Sequence, residues 1–204
     1  MAAFYKIMAL QQKTYSHFER ERKFLEIFLS RLRFKKVMKY IPDNARILDL
    51  GCGFYGDFLL RIKDKISSGV GIDISVNKTI NNHKIKLLKH NLDNPLPFND
   101  NQFDIAVSLA NLEHLNNPQQ MFNEIYRVLN KKGILLLTTP SIYAKPVLEF
   151  LALKLKVIDE QEVMHHKFYF NKRSLCAYCR NTGFSFYAHS YFQFFMNNFL
   201  YAKK

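Results

Sequence analysis

The sequence predicts an α/β fold: a doubly wound, mostly parallel sheet preceded by a helical extension. Three observations lead there. Short apolar runs alternate with helical patterns through the middle of the chain. Near the start of that region a strand pattern, Arg46-Ile47-Leu48-Asp49-Leu50, runs into Gly51-Cys52-Gly53-Phe54-Tyr55-Gly56 and then into a helical stretch. The last third differs, ending in two aromatic-rich stretches suited to an antiparallel hairpin.

Residues 16–40 read as a helix, because Phe18, Phe24, Leu25, Phe28, Leu32, Val37 and Met38 recur at helical spacing among charged residues. Pro42 and Asp43 end that pattern. A helix is expected from Asp57 to Ile66, a second strand over Gly69-Val70-Gly71-Ile72-Asp73-Ile74, and a short polar helix near Ser75 to His83. Further strands are expected at Ile85 to Leu88, Phe103 to Ser108 and Gly133 to Thr139, with an amphipathic helix from Pro118 to Leu129 between the last two. An apolar helix over 144–158 and another from Lys172 to Asn181, ended by Gly183, lead to the hairpin stretches Phe184 to His189 and Tyr191 to Tyr201. No internal repeat or low-complexity tract interrupts this order.

The chain has 204 residues, 48% hydrophobic and 23% charged, which excludes a disordered chain and suits one domain with a sizeable core. No apolar run reaches the roughly 18–20 residues of a membrane span, and the first residues lack the pattern of a signal peptide. Three cysteines are too few for a disulfide framework and suit a reducing, cytoplasmic setting. The net charge of +13 is uneven: +7 over residues 1–41, +1 over 42–140 and +5 over 141–204. A near-neutral middle with basic flanks attracts anions such as phosphorylated small molecules, nucleic acid or an acidic membrane, although solvated lysines alone also produce it.

The pattern Gly51-x-Gly53-x-x-Gly56 follows a strand and opens a helix, the context in which backbone N–H groups approach a ligand closely. Asp73 closes the second strand, where a carboxylate can accept both hydroxyls of a ribose. Nicotinamide dinucleotides and S-adenosylmethionine both satisfy this much. Asp49 separates them. A carboxylate two residues before the first glycine repels a pyrophosphate and welcomes the sulfonium and ammonium of S-adenosylmethionine.

Ile47-Leu48-Asp49-Leu50-Gly51-Cys52-Gly53 resembles the first motif of class I S-adenosylmethionine-dependent methyltransferases. Gly71-Ile72-Asp73-Ile74-Ser75, Leu96-Pro97-Phe98, Leu112-Glu113-His114-Leu115, Tyr126-Arg127-Val128-Leu129 and Thr138-Thr139-Pro140 continue the resemblance in order over residues 45–140. It implies a Rossmann-like sheet of strand order 3-2-1-4-5-7-6 with strand 7 antiparallel, and one domain over 1–204. That domain would comprise a helical cap (1–42), a donor-binding core (45–140) and acceptor-side helices with the terminal hairpin (141–204). It also implies S-adenosyl-L-methionine as methyl donor and S-adenosyl-L-homocysteine as product. Carried over by position, Asp49, Gly51, Cys52 and Gly53 lie by the methionine part, Asp73 takes the ribose and Ile74 packs on the adenine. Asn91 and Leu92, with Ser108 and Leu109 at the end of the fourth strand, complete the donor set. The family often has Asp where this chain has Asn91, and Asp93 is a rival for that position.

Methyl transfer from a sulfonium needs alignment more than a catalytic triad, with a base where the acceptor carries a proton. His114, after the fourth strand, and His166, on the loop before the sixth, are the candidates, and His165 ranks behind them. Glu113 reads as a partner of the helix that follows, and Tyr5 and Tyr15, with the basic helix, as parts of a lid over the donor or of a plain packing helix. Cys176 and Cys179, spaced i, i+3 with no second pair, read as buried cysteines, so no metal site is expected. The expected acceptor is a small molecule or glycan precursor, anionic in keeping with the basic flanks. The nine Phe or Tyr among residues 184–201 read as a packed hairpin, with an acceptor pocket, dimer face or peripheral membrane patch as alternatives. Either a monomer or a homodimer fits. A nucleic-acid methyltransferase or RNA-binding module, a nicotinamide-dependent oxidoreductase and a non-catalytic scaffold remain the rival readings.

Overall fold

The computed structural model describes residues 27–151 and 165–204. The expected helix segment over 16–26, the lid tyrosines Tyr5 and Tyr15, and residues 152–158 of the expected helix over 144–158 lie outside them. The chain is helical over 27–38 (α1). It continues through β1 (Arg46–Leu50), α2 (Asp57–Ile62), β2 (Ser68–Asp73), β3 (Ile85–Lys89), β4 (Phe103–Leu109), α3 (Pro118–Val128) and β5 (Leu129–Pro140). α4 (Ala144–Glu149), α5 (Lys172–Thr182), β6 (Phe186–Phe192) and β7 (Asn197–Lys203) complete it. The seven strands form one sheet in the order β3-β2-β1-β4-β5-β7-β6. β1 to β5 pair in parallel, and β7 runs antiparallel to both β5 and β6. This is the Rossmann-like order expected.

The central strands are apolar on both faces because both faces are covered. Leu48, Leu50, Ala106, Leu135 and Leu137 point to one layer, where Met121, Phe122 and Ile125 of α3 meet Leu175 and Cys179 of α5. Ile47, Ile105, Val107 and Leu136 alternate to the other face, against Val37 of α1 and Phe58, Leu59 and Ile62 of α2. Local signals set the helix ends. The Asn117 side chain accepts from Gln120 N at 3.1 Å ahead of Pro118. Asn171 and Ser174 form a capping box for α5, and Gly183 closes it at φ 98°.

Several expected elements are corrected. Residues 75–83 contain a single 3-10 turn, Lys78–Ile80, and no α-helix. Three asparagines explain it, because short amide side chains compete with the helix for backbone groups. Asn77 Oδ1 accepts from Thr79 N, Asn81 Oδ1 from Leu87 N, and Asn82 Oδ1 from the N–H groups of Lys84 and Ile85. α2 stops at Ile62, since a turn from Lys65 N to Ile62 O redirects the chain into β2. β5 begins four residues early, at Leu129, with a register shift against β4 between Phe103 and Ile105. The hairpin strands are displaced as well: the turn lies at Gln193, Phe194 and Phe195, all at positive φ, and Gln193 Nε2 donates to Leu29 O of α1. Phe184, Phe199 and Leu200 are buried, as a packed hairpin requires, whereas Phe194 is 94% exposed.

Phe122 is fully buried and stacks on Tyr178 with ring centroids 5.3 Å apart. Replacing it with alanine removes that contact and leaves a cavity between α3, α5 and the sheet. Phe122→Ala is expected to lower stability by about 3–5 kcal/mol, read from urea unfolding at constant m-value.

Candidate active site

β1 lies between β2 and β4, so the crossovers leaving the sheet at β1 turn in opposite directions. In such sheets the crevice opens beyond the carboxyl ends of the strands at this switch point. Here the ends of β1, β2, β3 and β4 deliver the glycine loop, Asp73, Asn91 and Asn111. A cavity of about 360 Å³ is lined by Asp73, Ile74, Asn91, Leu92, Asp93, Asn111, His114 and Leu115.

Asp49 is 2% exposed, and its Oδ2 has no hydrogen-bond partner among the described residues. Burial, reinforced by the nearby Asp73 carboxylate, pushes its pKa up to about 7. Asp73 holds the glycine loop: its carboxylate accepts from Gly53 N at 3.0 Å and from Ser75 N at 3.2 Å. Gly51 adopts φ 77°, and a Cβ there would lie 2.5 Å from Cγ of Asn111. Only glycine lets Asn111 come so close. Nδ2 of Asn111 is buried without a partner among the described residues. Two unpartnered buried polar atoms, one on Asp49 and one on Asn111, thus flank the glycine turn. Sequence reasoning did not single out Asn111 as a ligand-facing residue; its place just beyond a central strand of the sheet was the available signal.

Asn91 and Asp93 both line the cavity, but their side chains are already engaged differently. The Asp93 carboxylate accepts from Asn116 N at 2.8 Å and Asn116 Nδ2 at 2.6 Å. Among the described residues, Asn91 Oδ1 accepts only from the local Asp93 N at 3.0 Å. Ile74 is 68% exposed, leaving a free apolar surface. Ser108 is buried at the end of β4, and neither it nor Leu109 is among the residues lining the cavity; nor are Cys52 and the glycines of the adjoining loop.

A second cluster adjoins the cavity through His114, which lies in the 3-10 turn Leu112–His114 after β4. His166 is on the loop that leads into α5 and, through it, to β6, in keeping with the expected order. Lys167 docks that loop: its N–H donates to Glu113 O at 2.8 Å, and its Nζ to Asn116 Oδ1 at 2.7 Å. The His114 and His166 rings therefore stand edge to face with centroids 5.0 Å apart. Burial and the neighbouring His114 lower the His166 pKa to about 4, so its ring is neutral at pH 7. Glu113 is buried and accepts from Thr139 Oγ1 at 2.8 Å. That bond ties it to β5, in contrast to the expected link with the following helix.

The family model for the methyltransferase domain matches residues 17–189. The chain belongs to the class I S-adenosylmethionine-dependent methyltransferases. Bacillus subtilis YqeM is 32% identical over 114 residues, covering 50% of this methyltransferase and 45% of that protein. The ubiquinone biosynthesis O-methyltransferase of Rickettsia bellii is 28% identical over 115 residues, covering 52% and 47%. The methyltransferase thus matches about half the length of these curated relatives. A Thermotoga maritima SAM-dependent methyltransferase shares its fold, with a TM-score of 0.67, 21% identity and coverage of 91% and 94%. S-adenosylmethionine is the cofactor of this family. No helix among the described residues is long and apolar enough to cross a membrane.

The raised pKa of Asp49 has a sign. Its folded value of about 7 lies above the unfolded value of about 4, so the folded state holds the proton more tightly. The stability this contributes is complete below pH 4 and is lost as pH rises through 7. Between pH 6 and 8 the ligand-free protein is expected to lose about 1.4 kcal/mol from this group alone. Asp49→Asn should remove that part of the pH dependence, as measured by denaturant unfolding at the two pH values.

Proposed function

We propose that the methyltransferase moves a methyl group from S-adenosylmethionine to a small-molecule or glycan-precursor acceptor held on the His114 side of the cavity. The observation that carries this reading is Asp49, a buried carboxylate with an unpartnered oxygen beside a glycine turn. Such a group wants a cation, and a pyrophosphate would be repelled. The residues present therefore suit this donor. Bound there, S-adenosylmethionine supplies a methyl group on a positively charged sulfur.

The chain's own groups do the rest. Asp49 takes the cationic methionine end, and Asn111 Nδ2 is available to its carboxylate. Asp73 accepts from the ribose while keeping Gly53 in place. Ile74 and Leu92 supply apolar surface for the adenine. The adenine amino group is assigned to Asn91, because Asp93 is committed to Asn116. An amide carbonyl accepts without full charge, so this contact is weaker than a carboxylate's. Gly51, Cys52 and Gly53 shape the turn, and Ser108 and Leu109 support it from β4.

On the acceptor side, His114 receives a proton from the acceptor, with neutral His166 packed against it. Alignment supplies most of the rate, since the reacting atoms need only be held about 3–3.5 Å apart and collinear. The acceptor's heteroatom bonds to the methyl carbon, the sulfur–carbon bond breaks, and S-adenosylhomocysteine leaves. Basic flanks of +7 and +5 favour an acceptor that carries phosphate or another negative charge.

Calorimetric titration tests the donor site. S-adenosylhomocysteine is expected to bind in the micromolar range and NADH not at all. Asp73→Ala should weaken the first by about tenfold or more, the worth of a hydrogen bond to a charged group. Binding of NADH instead would turn the reading toward an oxidoreductase. S-adenosylmethionine affinity should rise between pH 6 and 8 as Asp49 ionises, and Asp49→Asn should flatten that rise. Turnover of a neutral metabolite, with glycerol-phosphate, nucleotide-sugar and lipid-linked substrates all inert, would overturn the anionic acceptor.

A further inference from the structure

We propose that Glu113, His114 and His166 bind a single divalent transition-metal ion, best matched by zinc, beside the donor cavity. Each offers a ligand atom, and these atoms all lie within 4.8 Å of one another. A metal about 2.1 Å from each of three tetrahedral ligands needs them roughly 3.4 Å apart, a contraction that small side-chain rotations provide. The residues come from two loops far apart in the chain, and the Lys167 N to Glu113 O bond brings those loops together without an ion.

The donor set selects the metal. Two imidazoles and one carboxylate suit zinc and its first-row neighbours, whereas magnesium and calcium prefer oxygen alone. The surroundings match a ligating set as well. Metal-bound imidazoles characteristically use their second nitrogen for a hydrogen bond, which orients the ring. Here His114 Nδ1 lies 3.4 Å from the carbonyl of His165, and His166 Nδ1 lies 3.2 Å from the Tyr169 hydroxyl. Nε2 of each ring is assigned to the ion. Glu113 is oriented in turn by Thr139 Oγ1. Three protein ligands leave a coordination position for another molecule, the arrangement of catalytic rather than structural zinc.

This inference rests on the proposed methyl transfer only for its consequence. Because His114 also lines the donor cavity, an ion here sits where the acceptor is expected. It would take the acceptor's oxygen or nitrogen as a ligand and lower its pKa, so that the proton passes to water before the methyl carbon is attacked. In the metal-loaded protein His114 is then a ligand and not the base. The rival occupant of the cluster is a proton shared among the three side chains.

The test uses the full, untagged chain, stripped of metal by dialysis against a chelator. Titration with CoCl2 should give one equivalent of intensified visible absorption, the signature of a low-symmetry nitrogen–oxygen site, and ZnCl2 should displace it. His166→Ala and Glu113→Gln should each weaken Co2+ binding by about tenfold or more, in line with the loss of one ligand. His166→Gln serves should the alanine variant fail to fold. S-adenosylhomocysteine affinity should be unchanged in the His166 variants, because His166 does not line the donor cavity. An absorption spectrum no different from aqueous Co2+, or binding that survives loss of His166, overturns the proposal in favour of the shared proton. Failure of the donor reading would show separately, as absent S-adenosylhomocysteine binding in wild type whatever the cobalt result.

Discussion

Burial of β1 on both faces is the constraint on which the rest of the molecule depends. Hydrogen bonded to β2 on one side and β4 on the other, its apolar side chains feed both core layers. With Leu48 and Leu50 committed to one layer and Ile47 to the other, the register cannot slip without turning Asp49 into a different environment. Asp49 is thereby held where water cannot reach it. The energetic cost of that carboxylate is borne by the packing of the whole sheet, and it leaves a group whose free energy improves when a cation arrives. The glycine turn that follows is equally a product of position, because Asn111, at the end of β4, fills the space a side chain on Gly51 would need.

The two halves of the site are held by different means. The proposed donor half hangs on strand ends, so its precision is that of the sheet. Loops build the proposed acceptor half, and it depends on a few polar links: Lys167 to Glu113 and Asn116, Asp93 to Asn116, and Glu113 to Thr139. Asn116 joins both halves, since it binds the cavity-lining Asp93 and the loop that carries His166. A disturbance there would reach donor and acceptor sides together. The curated relatives named above match over about half their length.

Most of the fold was legible in the sequence because its central strands are short, apolar and spaced by helical patterns. Failures concentrated where polar side chains compete with the backbone. The asparagines at positions 77, 81 and 82 replace an expected helix with a turn, each bond being local and strong enough to defeat weak helix propensity. Hairpin boundaries moved because aromatic residues mark a strand's existence better than its register.

By itself, the sequence marked the glycine turn and Asp73 as one unit of the sheet, because they lie close together in the chain. A strand, a glycine turn and a carboxylate at the end of the next strand lie within one βαβ unit, and their spacing carries the geometry. Only the tertiary structure decided which of Asn91 and Asp93 is committed elsewhere, that Asn111 meets Gly51, and that Glu113, His114 and His166 form one cluster. Those relations join residues from separate loops. Their distances follow from how strands stack in the sheet and how one lysine docks one loop on another, and no local spacing records either.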